Sequence, residues 1–402
     1  SCMLFWKCCI DDAFIVRGGY TNLRLAIIRQ RYNPHGGAER FVTRAVASLS
    51  KLGTESTVIA REWQGERGDG RWIRCDPFYI GRVWRDWSFA RAACHAVENG
   101  NFDLVQSHER IPCCDIYRAG DGVHAQWLHY RRQSLNPLQR IALSQSAFHR
   151  HVLGAERRLF ASARLRAVIC NSKMVRNQIE QWFPLVSDRL HVIYNGVDLD
   201  RFHPGVAREH RDAMRERLGI PDHANVLLFV GSGYERKGVK TLLDCVAQMR
   251  RGDIHLVIVG KDRHLSRYQA YAQSLGLKEK VIWAGPQNDV VPWYGLADVF
   301  VLPTLYDPFP NAALEAMACG LPVVISAQCG TAELVREDWN GFVCQDPGSL
   351  EELSTNLDKA LARAQHLGCN ARVSASSYGQ QEMAQALVTL YASLRLPKNR
   401  AH

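Results

Sequence analysis

VLLFVGSGYERKGVKTLL, residues 226–243, decides the fold. Five apolar residues run without alternation, a Gly-Ser-Gly turn breaks them, and apolar positions return at helical spacing through Val239, Leu242 and Leu243. A strand buried on both faces, a glycine loop and a helix form the opening unit of a doubly wound α/β domain. The same order occurs earlier, in LAIIRQRYNPHGGAERF at 25–41. The unit therefore starts twice, and two Rossmann-like domains are expected. Further strands are expected at 56–60, 103–107, 167–171 and 190–195 in the first half. In the second half they fall at 255–260, 281–285, 298–303 and 322–326. A helix is expected from Ala38 to Leu52, stopped by Gly53. The break lies near NGVDLDRFHP (195–204), followed by a polar stretch to about Asn225. The expected domains are residues 24–195 and 196–379.

Composition agrees with two domains. The chain has 402 residues, 47% of them hydrophobic and 22% charged, which excludes disordered and fibrous classes. No run of about 18 apolar residues is free of charge and proline, which argues against a spanning helix. SCMLFWKCCIDD (1–12) turns acidic too soon for a signal peptide, is expected to be an artefact of the chain start, and residues 1–23 receive no function. Residues 1–195 hold 28 Lys/Arg against 17 Asp/Glu, while residues 196–402 hold 22 against 23. The positive excess of one half points to an anionic partner there. Of the thirteen cysteines, most lie in apolar runs, as Cys170, Cys319 and Cys344 do. They read as buried free thiols in a reduced setting. The Cys8–Cys9 and Cys113–Cys114 pairs lack zinc-site spacing.

The richest chemistry lies in YDPFPNAALEAMACGLPVVIS, 306–326. Asn311 is expected to cap a helix that runs to Gly320, placing Glu315 in its first turns. Asp307 precedes it by eight positions. The backbone from Phe309 and Pro310 through Asn311 to Ala312 would lie at a helix N-terminus, where free N–H groups bind phosphate oxygens. By spacing alone, Glu315 could equally be a helix-dipole partner. In GSGYERKG (231–238), Ser232, Arg236 and Lys237 follow a buried strand and precede a helix. Alone, the segment could be a solvated basic turn; in that position it suits a diphosphate. In PHGGAER (34–40), Gly36 and Gly37 let a backbone approach a phosphate or a sugar. No complete G-x-G-x-x-G with its ribose acid follows, which argues against a dehydrogenase.

Two acids separated by seven residues, followed by EAMACGLPVV, resemble the donor signature of retaining family 4 glycosyltransferases, which have the GT-B fold. The resemblance makes Glu315 the ribose ligand, Asp307 the contact to the transferred sugar and Lys237 the diphosphate cation. The family usually has Glu at the first acid and Arg after the first glycine; here Asp307 is one methylene shorter and Ser232 stands for the Arg. GS…RKGV, VGKD, NDV and CGLPVV, with RYNPHGGAERFVTRAVASL and IPCCDIYRAGDGVHAQ, resemble the lipopolysaccharide inner-core glucosyltransferase branch over residues 24–395. That resemblance implies a helix at 380–395 crossing back onto the first domain. It also implies a nucleotide-sugar substrate (UDP-glucose), a lipopolysaccharide-core or other lipid-linked acceptor, and no metal or other cofactor, because Lys and helix dipoles hold the phosphates. Asp198-Leu199-Asp200 spells a metal-binding D-x-D, but it lies in the linker and reads as a turn.

On the acceptor side, His108 follows a strand, and Asp121 and His124 sit in a glycine-containing turn. Strand C-termini are where α/β sheets place ligands, although a histidine there is often structural. Residues 129–166 carry Arg131, Arg132, Arg140, Arg150, Arg157, Arg158, Arg164 and Arg166 with one acid, Glu156, and interleaved apolar residues. A basic amphipathic helix of this kind is expected to meet an anionic membrane surface or a phosphorylated acceptor, rather than only solvent. No nucleic-acid module is present, so nucleic acid is not an expected partner. The expected location is cytoplasmic, peripheral on the inner face of the inner membrane. A nucleotide-sugar epimerase of the same fold and a non-catalytic glycan-binding subunit are the alternatives.

Overall fold

The computed structural model describes residues 23–32, 54–63, 71–133, 135–183, 187–249 and 251–395. The N-terminal strands are β1 (Leu23–Ile28), β2 (Arg31–Tyr32), β3 (Thr54–Ala60), β4 (Glu62–Trp63), β5 (Arg71–Arg74), β6 (Leu104–Ser107), β7 (Ile116–Arg118), β8 (Ala167–Cys170) and β9 (Leu190–Val192). Seven of them form a parallel sheet in the order β5-β3-β1-β6-β7-β8-β9, and β2 pairs with β4. The helices here are α1 (Gly81–Glu98), α2 (His124–Gln133), α3 (Pro137–Gln145), α4 (Ala147–Phe160) and α5 (Lys173–Trp182).

The continuous apolar runs are explained by two cores, one on each face of this sheet. Along β1, Leu23, Leu25 and Ile27 belong to one core, and Ala26 and Ile28 to the other. β8 divides likewise, with Ala167 and Ile169 on one side and Val168 and Cys170 on the other. Side chains alternate faces along a strand, so a strand covered on both sides favours apolar residues at successive positions rather than at alternate ones.

The second domain opens with α6 (Pro204–Leu218). Its sheet contains β10 (Asn225–Val230), β11 (Ile254–Val259), β12 (Val281–Gly285), β13 (Val299–Leu302), β14 (Val323–Ser326) and β15 (Gly341–Cys344), all parallel, in the order β12-β11-β10-β13-β14-β15. Its further helices are α7 (Val239–Met249), α8 (Leu265–Ser274), α9 (Val291–Leu296), α10 (Asn311–Ala318), α11 (Leu350–Ala362) and α12 (Ala364–Ala375). The last helix, α13 (Gln380–Arg395), returns to the first domain, where Met383, Leu387, Val388, Leu390 and Tyr391 complete the core facing Leu25 and Ile27. Where the chain crosses between domains, Val197 donates to the Tyr378 carbonyl at 2.9 Å, so outgoing and returning segments lie side by side.

In both sheets the strand order reverses beside the first strand of the domain. These switch points lie between β1 and β6, and between β10 and β13. The loops there diverge to opposite faces and leave a crevice at the carboxyl ends, where such sheets bind ligands.

Several expectations are corrected. The polar stretch after residue 204 is largely α6, not linker: Arg211 and Arg215 both bind Asp298, and they also donate to carbonyls at Ala297 and Ala224. Paired guanidiniums fasten that helix alongside Met214 and Leu218, which pack on the core of the second domain. The strand expected at 190–195 ends at Val192, and β5, β7 and β15 were not anticipated. Each has only three or four residues, and the two exposed ends of β5 break its apolar pattern. Cys94 and Cys113 form a disulfide, Cα atoms 5.7 Å apart, against the expectation of free thiols; nothing in a 19-residue separation signals that α1 and the segment before β7 meet. The eight other described cysteines are free. The basic segment is not one helix. Asn136 caps α3 through the Gln139 amide, and Ser146 caps α4 through the His149 amide, dividing it into short helices. The helix expected at 38–52 and the Gly36–Gly37 loop lie outside the described residues. No helix among the described residues is long and apolar enough to cross a membrane.

Candidate active site

One half of the candidate site is built at the β10/β13 switch point. The loop after β10 carries Arg236 and Lys237; the loop after β13 carries Asp307. Asp307 is buried, accepts a hydrogen bond from Lys237 Nζ at 2.9 Å and forms an ion pair with Arg236 Nη1 at 3.5 Å. Burial alone would raise its carboxyl, but the two cations outweigh burial and hold it below the ordinary carboxylate range. Gly231 makes room for the lysine: a Cβ there would lie 2.5 Å from Lys237 Cδ. Ser232 ties this loop to the next one, its hydroxyl accepting from the Lys261 amide at 3.2 Å.

Glu315 lies one turn into α10, and its Oε2 accepts from Tyr294 Oη at 2.9 Å. The same hydroxyl lies 3.2 Å from the Ala312 carbonyl. Tyr294 on α9, which nothing in the sequence singled out, thus fixes the carboxylate at the helix face. The expected cap is corrected: Pro310 is the N-cap residue and Asn311 the first helical one. Proline has no capping side chain, so the N-cap residue itself makes no side-chain cap to the first turn. Asn311 Oδ1 instead accepts from Asn195 Nδ2 at 2.6 Å, across the domain boundary. Phe309 is buried, its ring 5.8 Å from that of Tyr194.

The other half lies at the β1/β6 switch point. His108, at the end of β6, is buried with Nε2 3.1 Å from Gln106 Nε2. Gln106 Oε1 in turn accepts from Tyr391 of the crossover helix at 2.6 Å. Burial and neighbouring Arg118 push the His108 imidazole well below its ordinary value, so it is neutral. Beside it, Glu109 Oε1 accepts from the Gln30 amide at 2.9 Å. Burial raises the Glu109 carboxyl above the usual range, opposed by Arg29. Asp121 is exposed in the following turn and contributes electrostatically to both Glu109 and Arg110. His124 Nε2 lies 3.0 Å from His149 Nδ1. Burial, with Arg110 and His149 nearby, lowers its imidazole to about 3. Arg110 and Glu156 form a buried ion pair at 2.9 Å behind this turn, and Glu156 also accepts from the His124 amide. Glu109 and Arg110 escaped the sequence reading, and Glu156 was noted only as the one acid of the basic segment. The signal for the first two was the acid–base pair directly after a strand, in SHER.

The arginines diverge. Arg131 pairs with Glu235 of the other domain at 3.4 Å. Arg140 donates to the Arg132 and Leu135 carbonyls. Arg132 and Arg157 line a cavity of about 470 Å³ with Leu128 and Trp182, while Arg158 faces a second, of about 590 Å³, with Glu109 and His151. Arg150 is exposed. Beside the glycine loop, Arg131, Arg236, Lys261 and Arg267 line a groove of about 1360 Å³. Asp198 lies in the linker turn, where its Oδ1 accepts from the Arg201 amide at 3.2 Å.

Two carboxylates with cations and a helix N-terminus on one domain, facing polar strand ends on another, suit transfer between a phosphorylated donor and a second substrate. Residues 35–201 match the family described as glycosyltransferase family 4, and residues 210–381 match glycosyl transferases group 1. The chain is 31% identical over 316 residues to D-inositol 3-phosphate glycosyltransferase 2 of Catenulispora acidiphila, covering 73% of this chain and 71% of that one. It is 24% identical over 344 residues to the lipopolysaccharide glucosyltransferase WaaG of Escherichia coli K12, covering 85% and 90%. The crystal structure of WaaG superposes with a TM-score of 0.79 over 91% of this chain and 99% of that one, at 24% identity. Anabaena HepE in complex with UDP-glucose superposes with a TM-score of 0.68 at 19% identity, covering 92% and 100%. With its two facing Rossmann-like domains and crossover helix, the chain belongs to the family 4 glycosyltransferases of GT-B fold.

Proposed function

We propose that the chain is a retaining hexosyltransferase that moves glucose from UDP-glucose to a lipopolysaccharide-core or other lipid-linked glycan. The observation that carries this is the placement of Lys237, Arg236, Asp307 and Glu315 around the β10/β13 crevice. WaaG by its name and HepE by its bound UDP-glucose support the donor and the acceptor class.

In this reading Glu315, oriented by Tyr294, accepts hydrogen bonds from the ribose hydroxyls. Lys237 leaves Asp307 for the diphosphate, and Asp307 turns to a sugar hydroxyl. The bond from the sugar C1 to the diphosphate oxygen breaks, and the acceptor oxygen bonds to C1 on the same face. The acceptor proton passes to the departing phosphate oxygen, so no dedicated base is required. Lys237, Arg236 and the uncapped α10 N-terminus stabilise the developing negative charge, a role that needs no metal ion. Phe309–Ala312 border the phosphates and sugar, and His108, Asp121 and His124 border the acceptor. The domains close about the 195–204 linker. The enzyme works at the inner face of the inner membrane, on the cytoplasmic side.

Measuring nucleotide release from UDP-glucose, UDP-galactose, ADP-glucose and GDP-mannose tests the donor, with UDP-glucose expected to be fastest. Lys237→Ala and Glu315→Gln are each expected to lower kcat/KM by about 10²-fold or more, the usual loss when a charge-stabilising partner is removed. Wild-type rates in both variants would overturn the site, and formation of an epimerised nucleotide sugar from donor alone would overturn the transferase.

A further inference from the structure

Tyr306 belongs to the donor loop, yet its side chain ends inside the other domain. It is 2% exposed. Its hydroxyl accepts from the Val123 amide at 2.9 Å and donates to Gln178 Oε1 on α5 at 2.8 Å. Val123 immediately precedes α2, where an amide has no acceptor within the helix, so the tyrosine supplies one. Gly122, at φ +67°, makes the approach possible: a Cβ there would lie 2.2 Å from the Tyr306 hydroxyl and 2.7 Å from Pro308 Cγ.

The main chain of the same residue is held from the donor side. Arg236 Nη1 donates to the Tyr306 carbonyl at 2.6 Å. The adjoining Asp307 amide donates to the Gln328 carbonyl at 3.0 Å, and the Asp307 carbonyl accepts from Gly330 at 2.8 Å. One step further, the Pro308 carbonyl accepts from Ser172 Oγ of the N-terminal domain at 2.9 Å. Three consecutive residues are thus gripped alternately by both domains, with the Asp307 carboxylate between the grips. A tyrosine whose hydroxyl meets both its partners in a buried interface holds one geometry, because losing the contact strands a buried amide.

We infer that Tyr306 is a positioning residue: it docks the donor loop on the 120–123 turn, so that Asp307 and the acceptor-side Asp121 come into register only in the closed molecule. The inference rests on the transferase reading for what the register serves, but the docking itself does not. In an open molecule Val123 and Gln178 lose their partner, so closure and the placement of Asp307 are one event.

The test uses the full chain as wild type, Tyr306→Phe, Gln178→Leu and the double variant. Amide hydrogen exchange is followed at Val123, and UDP release from UDP-glucose gives kcat and KM separately. Tyr306→Phe is expected to speed exchange at Val123 at least tenfold. It is expected to lower kcat about tenfold, with KM within twofold and the melting temperature near wild type. Gln178→Leu should act in the same direction, and the double variant should be no slower than Tyr306→Phe, because both remove one contact. Unchanged exchange at Val123, wild-type kcat in Tyr306→Phe, or effects that multiply in the double variant would each overturn the assignment. A wild-type chain that releases no UDP from UDP-glucose would sink the transferase reading instead, leaving the exchange measurement to decide the docking.

Discussion

At the scale of single residues, charge at this site is set by neighbours rather than by residue type. Asp307 stays ionised although buried, because Lys237 lies 2.9 Å away and Arg236 close behind. The histidines go the other way. His124 and His149 are packed against each other with Arg110 and Arg131 nearby, and both imidazoles are lowered. A histidine lowered in the folded protein takes up its proton in the unfolded chain first. Between the ordinary value near 6.5 and the folded value of about 3, the unfolded state therefore binds more protons, and stability falls as pH falls. The expected outcome is a melting temperature that declines from pH 7 to pH 4 in the wild type and declines less steeply in His124→Gln. Identical slopes would show that the pair does not govern acid stability. Lys237, Asp307 and Glu315 were singled out in the sequence because strand, glycine-loop and helix signals are local and the motif they form resembles a family signature. Tyr294 was not, since its role depends on α9 lying beside α10.

At the scale of elements, the short helices after residue 124 show how local signals cut a pattern that composition had joined. Two caps turn one basic run into α2, α3 and α4, and many of its arginines then serve the protein itself. α3 is exposed at every position but Leu143, and two large apolar side chains stand in water there: Leu138 is 79% exposed and Ile141 54%. Together with Arg132 and Arg150 nearby in sequence, these side chains suit the boundary of an anionic bilayer better than water alone. Leu138→Glu combined with Ile141→Glu is expected to reduce flotation with phosphatidylglycerol vesicles at least fivefold while leaving the melting temperature unchanged. Flotation equal to wild type would remove α3 from the membrane assignment. The membrane expectation was readable from composition, but the residues that would carry it were not, because exposure depends on which face α4 covers.

At the scale of the whole molecule, the two ends of the chain share a core. Leu387 and Tyr391 of α13 pack on Leu25 and Ile27 of β1, across more than 350 residues of sequence. The first domain is therefore unfinished until the last helix returns. Leu387 is fully buried, and Leu387→Ala is expected to cost about 2–5 kcal/mol in chemical denaturation, as removal of a core leucine side chain does. A loss below about 1 kcal/mol would mean that the helix is dispensable for the first core. Charge also reads differently at this scale. The second half has no net positive charge, yet Lys261, Arg263 and Arg267 line the groove beside the glycine loop with Arg131 of the first domain. A half-chain sum cannot locate charge that two domains assemble.

By itself, the sequence determined the doubly wound class and the strand–loop–helix unit at 226–243, because buried parallel strands, glycine turns and helix periodicity are local patterns. Only the tertiary structure decided the Cys94–Cys113 disulfide, the polar anchoring of α6, the Arg110–Glu156 pair under the acceptor turn and the crossing of Tyr306 into the opposite domain. Each of these is a meeting of residues far apart in the chain. Their identities carry no periodicity, so packing of the two domains, not propensity, brings them together.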